Sequence, residues 1–194
     1  LELLAGGGTS NLNNVPALQA RLQTPTDLKI GPDGLLYIVE TGASRVRRIS
    51  ANGNIEAVVG FGASGFSGDG GPATSARLNQ PRGISFDSKG RIYIADTSNN
   101  RIRRGGLDGL IQTVAGTGQT PFSPPGNGVA AGAANFFNPH AVGFALDGDM
   151  LIADTFNGRV RRVNADSGGS ILSNDVDPDG DTIVDVLVTP TSHG

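Results

Sequence analysis

A phrase made of one acid, a turn and a run of arginines occurs three times in this 194-residue chain: "LYIVETGASRVRR" (Leu36 to Arg48), "RIYIADTSNNRIRR" (Arg91 to Arg104) and "MLIADTFNGRVRR" (Met150 to Arg162). Each copy belongs to a longer unit that opens on a proline, Pro25, Pro81 or Pro139, and these prolines are 56 and 58 residues apart. An internal period of this size marks a repeat architecture, in which a unit cannot bury its apolar face alone and must stack on its neighbours.

The second unit shows what is being repeated. "GISFD" runs into Asp87-Ser88-Lys89-Gly90, a turn whose glycine supplies positive φ, and "RIYIA" follows and ends at Asp96-Thr97-Ser98-Asn99-Asn100. "RIRR" and "LIQTVAG" complete four strand-like runs. Gly 30, Pro 11 and the lack of any long 3.6-residue periodicity agree with short strands and tight turns, so the fold class is all-β. Four antiparallel strands repeated with Gly-rich links predict β-propeller blades.

The units resemble NHL repeats, in the variety whose blades are joined by a "GFSGDGGPAT.A.L..P" link. "GFSGDGGPATSARLNQP" (Gly65 to Pro81) fits that link, and looser versions, "VPALQARLQTP" and "FSPPGNGVAAGAANFFNP", precede the other two units. The resemblance implies a six-bladed propeller, of which residues 1–163 supply about three blade equivalents. "ELLAGGG" (Glu2 to Gly8) aligns with the fourth strand of a blade, whereas nothing after Val163 supplies one to the third unit. A partial ring of this kind is expected to come from a longer propeller, and its open blade edges invite self-association.

Internal repetition separates scaffold from function: a residue type that recurs at one blade position serves the blade, and one that varies is free for a ligand. Glu40, Asp96 and Asp154 each precede an arginine by five residues (Arg45, Arg101, Arg159) and are expected to hold the turn, their carboxylates accepting backbone N–H groups and the arginine bridging across. Strand alternation sends Arg45 and Arg47 to one face and Val46 and Arg48 to the other. In the link, Phe66 is expected to be buried between blades and "ATSARL" to form a short helical turn. The positions that vary follow the repeat prolines: Thr26-Asp27, Arg82-Gly83 and His140-Ala141. By the resemblance this end of the innermost strand faces the central channel, so Asp27, Arg82 and His140 are the candidate ligand-binding residues. "NPHAV" is similar to a segment that holds zinc in NHL-type amidating lyases, but zinc needs three or four ligands and the chain has only His140 and His193 and no Cys, so no zinc site is predicted.

From Gly168 the repeat stops, and residues 164–194 read as a linker followed by the truncated start of a second β domain. "NDVDPDGDT" resembles the opening of the cadherin-like or VCBS-type tandem domains of large bacterial surface proteins. Asp175, Asp177, Asp179 and Asp181 place a carboxylate at every second position, which suits calcium, or reads alternatively as a solvated acidic linker. An EF-hand is excluded because position 12 counted from Asp175 is Val186 and a β-branched run follows.

These observations predict a non-enzymatic scaffold that binds a protein or glycan, carried by a secreted or surface-attached multidomain protein. No catalytic residues are assigned, and there is neither a G-x-S-x-G elbow nor a complete phosphate loop. The alternatives are a lyase- or lactonase-like propeller enzyme with a channel metal, completed by further blades, and an RNA-binding NHL module. A formal net charge of −3 and an aromatic content of 5% argue against nucleic acid as a partner. No apolar run is long enough to span a membrane.

Overall fold

A computed structural model describes residues 1–106, 108–119 and 129–164, together with the backbone of Ile183–Asp185. Alternating apolar residues between turn-forming clusters produce thirteen short strands among the described residues and, apart from single 3-10 turns, no helix. The first sheet holds β1 (Val15–Pro16), β2 (Pro25–Ile30), β3 (Leu36–Glu40), β4 (Arg45–Ile49) and β5 (Asn54–Val59), in the spatial order β1-β5-β4-β3-β2. The second is the meander β6 (Gly83–Phe86), β7 (Ile92–Asp96), β8 (Arg101–Gly105) and β9 (Ile111–Ala115). The third is β10 (Ala141–Phe144), β11 (Met150–Asp154), β12 (Arg159–Val163) and β13 (Ile183–Asp185). All pairings are antiparallel. Each sheet is one propeller blade, so the expected all-β partial propeller is what the chain forms.

The turns follow from local chemistry. Gly34, Gly90 and Gly148 close the hairpins between the two innermost strands at positive φ (75°, 82° and 93°), where a side chain would be strained. After each repeated acid the chain makes a 3-10 turn, Thr41–Ala43, Thr97–Asn99 or Thr155–Asn157, and leaves it through a left-handed residue, Ser44, Asn100 or Gly158.

Blades pack face to face in chain order. Tyr37, Val39, Val46 and Val59 of the first sheet bury against Ile84, Ile92, Ile94 and Ile111 of the second. Tyr93, Ala95 and Ile102 of the second bury against Val142, Met150, Ile152 and Val163 of the third. An edge-to-face ring pair marks each seam, Tyr37 on Phe86 at 4.9 Å and Tyr93 on Phe144 at 4.8 Å. The links carry the predicted helical turn at Ala73–Ser75, with counterparts at Ala17–Gln19 and Ala131–Ala133. They stitch the outer rim: Gly60 and Phe61, at the end of the first blade, donate N–H to Ala73 and Ala76 carbonyls, while Gly70 and Ala73 donate to Ile111 and Gly109 of the second.

Two strand expectations change. Glu2–Gly8 forms no strand, although Gly6 and Gly8 donate N–H to the Ala17 and Ala20 carbonyls much as the ends of the later blades do. The outer place in the third blade is not empty: β13 pairs with β12 in the register Arg161–Asp185, Arg162–Val184 and Val163–Ile183. An open strand edge presents unpaired N–H and C=O groups, and the β-branched stretch at Ile183 is suited to satisfy them.

Candidate functional site

The repeated acids lie at the heart of each blade. Glu40, Asp96 and Asp154 are completely buried, as are Arg47, Arg103 and Arg161. Each carboxylate reaches out of its own sheet to the link that enters the blade, accepting N–H of Gln23 (3.0 Å), Asn79 (2.7 Å) or Phe137 (2.8 Å). Asn99 and Asn157 add a second donor to Asp96 and Asp154, at 2.8 Å each. The arginine that completes the buried ion pair is seven residues after the acid: Arg47 on Glu40, Arg103 on Asp96 at 3.3 Å and Arg161 on Asp154 at 3.5 Å. Arg47 and Arg103 extend the brace by donating to the Arg21 carbonyl and, more loosely, the Arg77 carbonyl in the links.

The arginine five residues on therefore has a different role in the second blade. Arg45 does contact Glu40 at 3.2 Å, but Arg101 donates to the Thr117 carbonyl and lies over the Phe66 ring at 3.8 Å. The reason is strand geometry: the i+5 arginine sits directly opposite the acid in register, whereas the i+7 arginine is on the same face and one step deeper under the link. Phe66 is corrected as well. It is 43% exposed, its ring face taken by the Arg101 and Arg103 guanidinium groups in place of a neighbouring blade. The third arginines fall on the opposite face as alternation predicts, Arg48 pairing with Asp33 and Glu56, and Arg162 with Asp147 and Asp149.

Asp27, Arg82 and His140 stand at the entry to the innermost strands of successive blades. Asp27 is half-buried and acts across the seam: one carboxylate oxygen accepts the Ile84 N–H at 2.9 Å and the other the Leu28 N–H at 2.8 Å. Its equivalent in the second blade is Gly83, where an added Cβ would come within 2.6 Å of the His140 carbonyl oxygen. The inner strands thus approach closely, which sets Arg82 and His140 side by side. Arg82 is exposed, and His140 is half-buried beside the Phe156 ring, 5.8 Å between centroids. Burial, with the Arg82 charge behind it, holds the His140 imidazole below its ordinary pKa, so it is neutral at pH 7. The rim therefore offers one free-facing cation, a neutral imidazole and an aromatic surface.

Threonine after each acid is a seam residue that sequence reading missed. Thr41 and Thr97 donate Oγ1–H to the Pro81 and Pro139 carbonyls, at 2.5 and 2.8 Å, tying each blade to the proline that opens the next. The signal was present, since Thr41, Thr97 and Thr155 recur in register. Asp175, Asp177, Asp179 and Asp181 lie outside the described residues. Among the described residues no group of three or more metal-ligating side chains is gathered, and no helix is long and apolar enough to cross a membrane.

Sheets of four or five antiparallel strands, stacked in series and stitched along their outer rim, define three blades of a β-propeller. Comparison with known proteins finds that residues 51–125 match the model of the Teneurin NHL domain family. Human Teneurin-4 is 37% identical over 101 residues, a match covering 45% of this chain and 4% of Teneurin-4. A crystal structure of a Bacteroides thetaiotaomicron protein of unknown function superposes with a TM-score of 0.63 at 25% identity, covering 76% of this chain and 37% of that one. An auxiliary nutrient binding protein from the same organism gives a TM-score of 0.58 at 22% identity, covering 71% of this chain and 36% of that one. The chain thus spans a small part of Teneurin-4 and over a third of either solved structure.

Proposed function

We propose that this chain is a non-enzymatic binding module that presents the inner-strand end of its blades to a protein or glycan carrying an anionic group. One observation carries the reading: the recurring charged residues are consumed inside the blades, whereas the residues that change from blade to blade meet at a single rim. There Arg82 is exposed, and His140 and Phe156 beside it offer hydrogen bonding and a stacking face. A binding role is also what the description of the nutrient-binding structural neighbour suggests. The test is an array of acidic oligosaccharides and acidic peptides probed with the 194-residue chain and with Arg82→Ala. Hits retained by wild type and lost by Arg82→Ala support the rim; hits indifferent to Arg82 place binding elsewhere and overturn it.

The acidic run Asp175 to Asp181 is part of the same proposal. Hard carboxylate oxygens at every second residue suit calcium, and the likeness of this stretch to cadherin-like openings fits an extracellular or surface-attached parent. Isothermal titration with calcium, against a chain in which Asp177 and Asp179 are both asparagine, tests the metal. Equal heats from the two chains would remove it.

A further inference from the structure

Three positions lie at the rim end of every blade: the second residue before the opening proline, the residue after that proline, and the second residue after the repeated acid. One bond recurs between the first and the last of them, with Gly42 N–H on the Gln23 carbonyl at 3.1 Å, Ser98 on Asn79 at 3.0 Å and Phe156 on Phe137 at 3.0 Å. The first blade fills the three with Gln23, Thr26 and Gly42, and the second with Asn79, Arg82 and Ser98. The third fills them with Phe137, His140 and Phe156, so that each carries an aromatic ring.

These rings touch. Phe137 sets its edge on Phe156 at 5.1 Å between centroids and 83° between planes, and His140 leans on it at 5.8 Å and 55°. Phe156 is held from two sides and is still 58% exposed. The internal repeat accounts for that exposure. Ser98 is exposed although its blade has a neighbour packed on each side, and its Oγ turns to Gln80 Oε1 in its own blade's link, as Phe156 turns to Phe137 and His140. The position therefore belongs to the open rim and not to a seam. Nor does the fold require a ring there, since the first two blades build the same 3-10 turn with glycine and serine.

The surroundings select among ligands. The N–H groups of Phe156, His140 and Arg82 are spent on the Phe137, Ala153 and Ala95 carbonyls, at 3.0, 3.0 and 3.2 Å, and the Arg82 carbonyl takes the Thr26 hydroxyl at 3.1 Å. An extended peptide, recognised largely through main-chain hydrogen bonds, finds no partner among these groups. What they leave is side-chain chemistry: a preorganised ring with an electronegative face, an imidazole, and the exposed Arg82 guanidinium on the adjoining blade. A uronic acid in its pyranose form matches this set, because one face of its ring presents polarised C–H groups and its carboxylate suits the planar guanidinium fork.

We propose that Phe156, fixed by Phe137 and His140, is a stacking platform for a sugar ring of an acidic glycan whose carboxylate pairs with Arg82. The proposal rests on the rim reading above and narrows its ligand to a glycan.

Isothermal titration of the 194-residue chain with hexagalacturonate, and with a hexaglutamate blocked at both ends so that it carries the same charge, tests it. The wild type is expected to bind the saccharide more tightly than the peptide. Phe156→Ser, which installs the residue of the second blade, should weaken saccharide binding by about tenfold and leave peptide binding unchanged, while Phe156→Tyr keeps both. Arg82-dependent binding that ignores Phe156→Ser, or that favours the peptide, overturns the platform and leaves the rim standing. Saccharide binding indifferent to Arg82→Ala, or no binding of either oligomer, overturns the rim reading and the platform with it. Should Phe156→Ser misfold by circular dichroism, upfield ring-current shifts of the pyranose C–H protons on binding to the wild type replace it, and the proposal fails without them.

Discussion

Replacing Asp96 by alanine tests what the repeated acid is for. The carboxylate accepts the Asn79 N–H at 2.7 Å, the Asn99 amide at 2.8 Å and the Arg103 guanidinium at 3.3 Å, and acid and arginine are both fully buried. Removing one member of a buried pair costs about 3–5 kcal/mol, because the partner charge is left in low dielectric. A stranded donor adds about 1–3 kcal/mol when buried, and the part-buried Asn79 N–H falls at the low end of that range. The terms overlap, and Arg103 keeps a second carboxylate, Asp69 at 2.7 Å, so the net loss is expected to be about 4 kcal/mol. With a urea m-value of about 2 kcal/mol/M, the midpoint falls by about 2 M. The chain has no Trp, so circular dichroism follows the transition. Arg101→Ala is the control, expected to lose only about 1 kcal/mol, since it removes two part-buried carbonyl hydrogen bonds, to Thr117 and more loosely to Asn99, and the stack on Phe66. A loss below about 1 kcal/mol for Asp96→Ala, or equal losses for the two variants, would refute the brace.

Gly83→Ala should destabilise by about 2 kcal/mol, since its Cβ would meet the His140 carbonyl oxygen at 2.6 Å; thermal melts check this. Thr97→Val removes the bond to the Pro139 carbonyl and should cost about 1 kcal/mol in the same assay. Arg82→Ala removes a positive neighbour and should raise the His140 pKa, read from its ring proton shifts across a pH titration; an unchanged value would separate the two residues. Burial pushes the Asp96 carboxyl up to about 6 against the opposing pull of its hydrogen bonds and Arg103. Because that value is raised, the stability Asp96 contributes as a neutral acid is complete below about pH 4 and lost as pH rises through about 6, so Asp96→Asn should flatten that span of the urea-midpoint profile.

The blades were legible because their signals are local. Alternation, Gly at positive φ in the hairpins and a period set by the opening prolines all act within a few residues, so strand identity and the three-blade count could be read directly. The ion-pair partner was not, because choosing Arg103 over Arg101 depends on which side chain lies beneath a link that arrives from far along the chain. Phe66 was misread for a related reason: an aromatic in a glycine-rich link looks like core until the arginines that cover it are in place. The run that contains β13 reads as a strand, but as part of a second β domain and not of the third blade, because an acidic stretch with no repeat character separates the two. The rim was half legible. Variation picked out Asp27, Arg82 and His140, but the carboxylate of Asp27 turns out to join blades, which only the approach of Ile84 reveals.

Amide hydrogen exchange at Gln23, Asn79 and Phe137 tests most directly whether the recurring acid is structural. None of these N–H groups lies in a strand, and each donates to a buried carboxylate. All three should exchange as slowly as the central strand amides and lose that protection when the acid of their own blade is replaced by alanine. Rapid exchange in the wild-type chain would mean that the carboxylates do not hold the links, and the division between scaffold and site would fall with it.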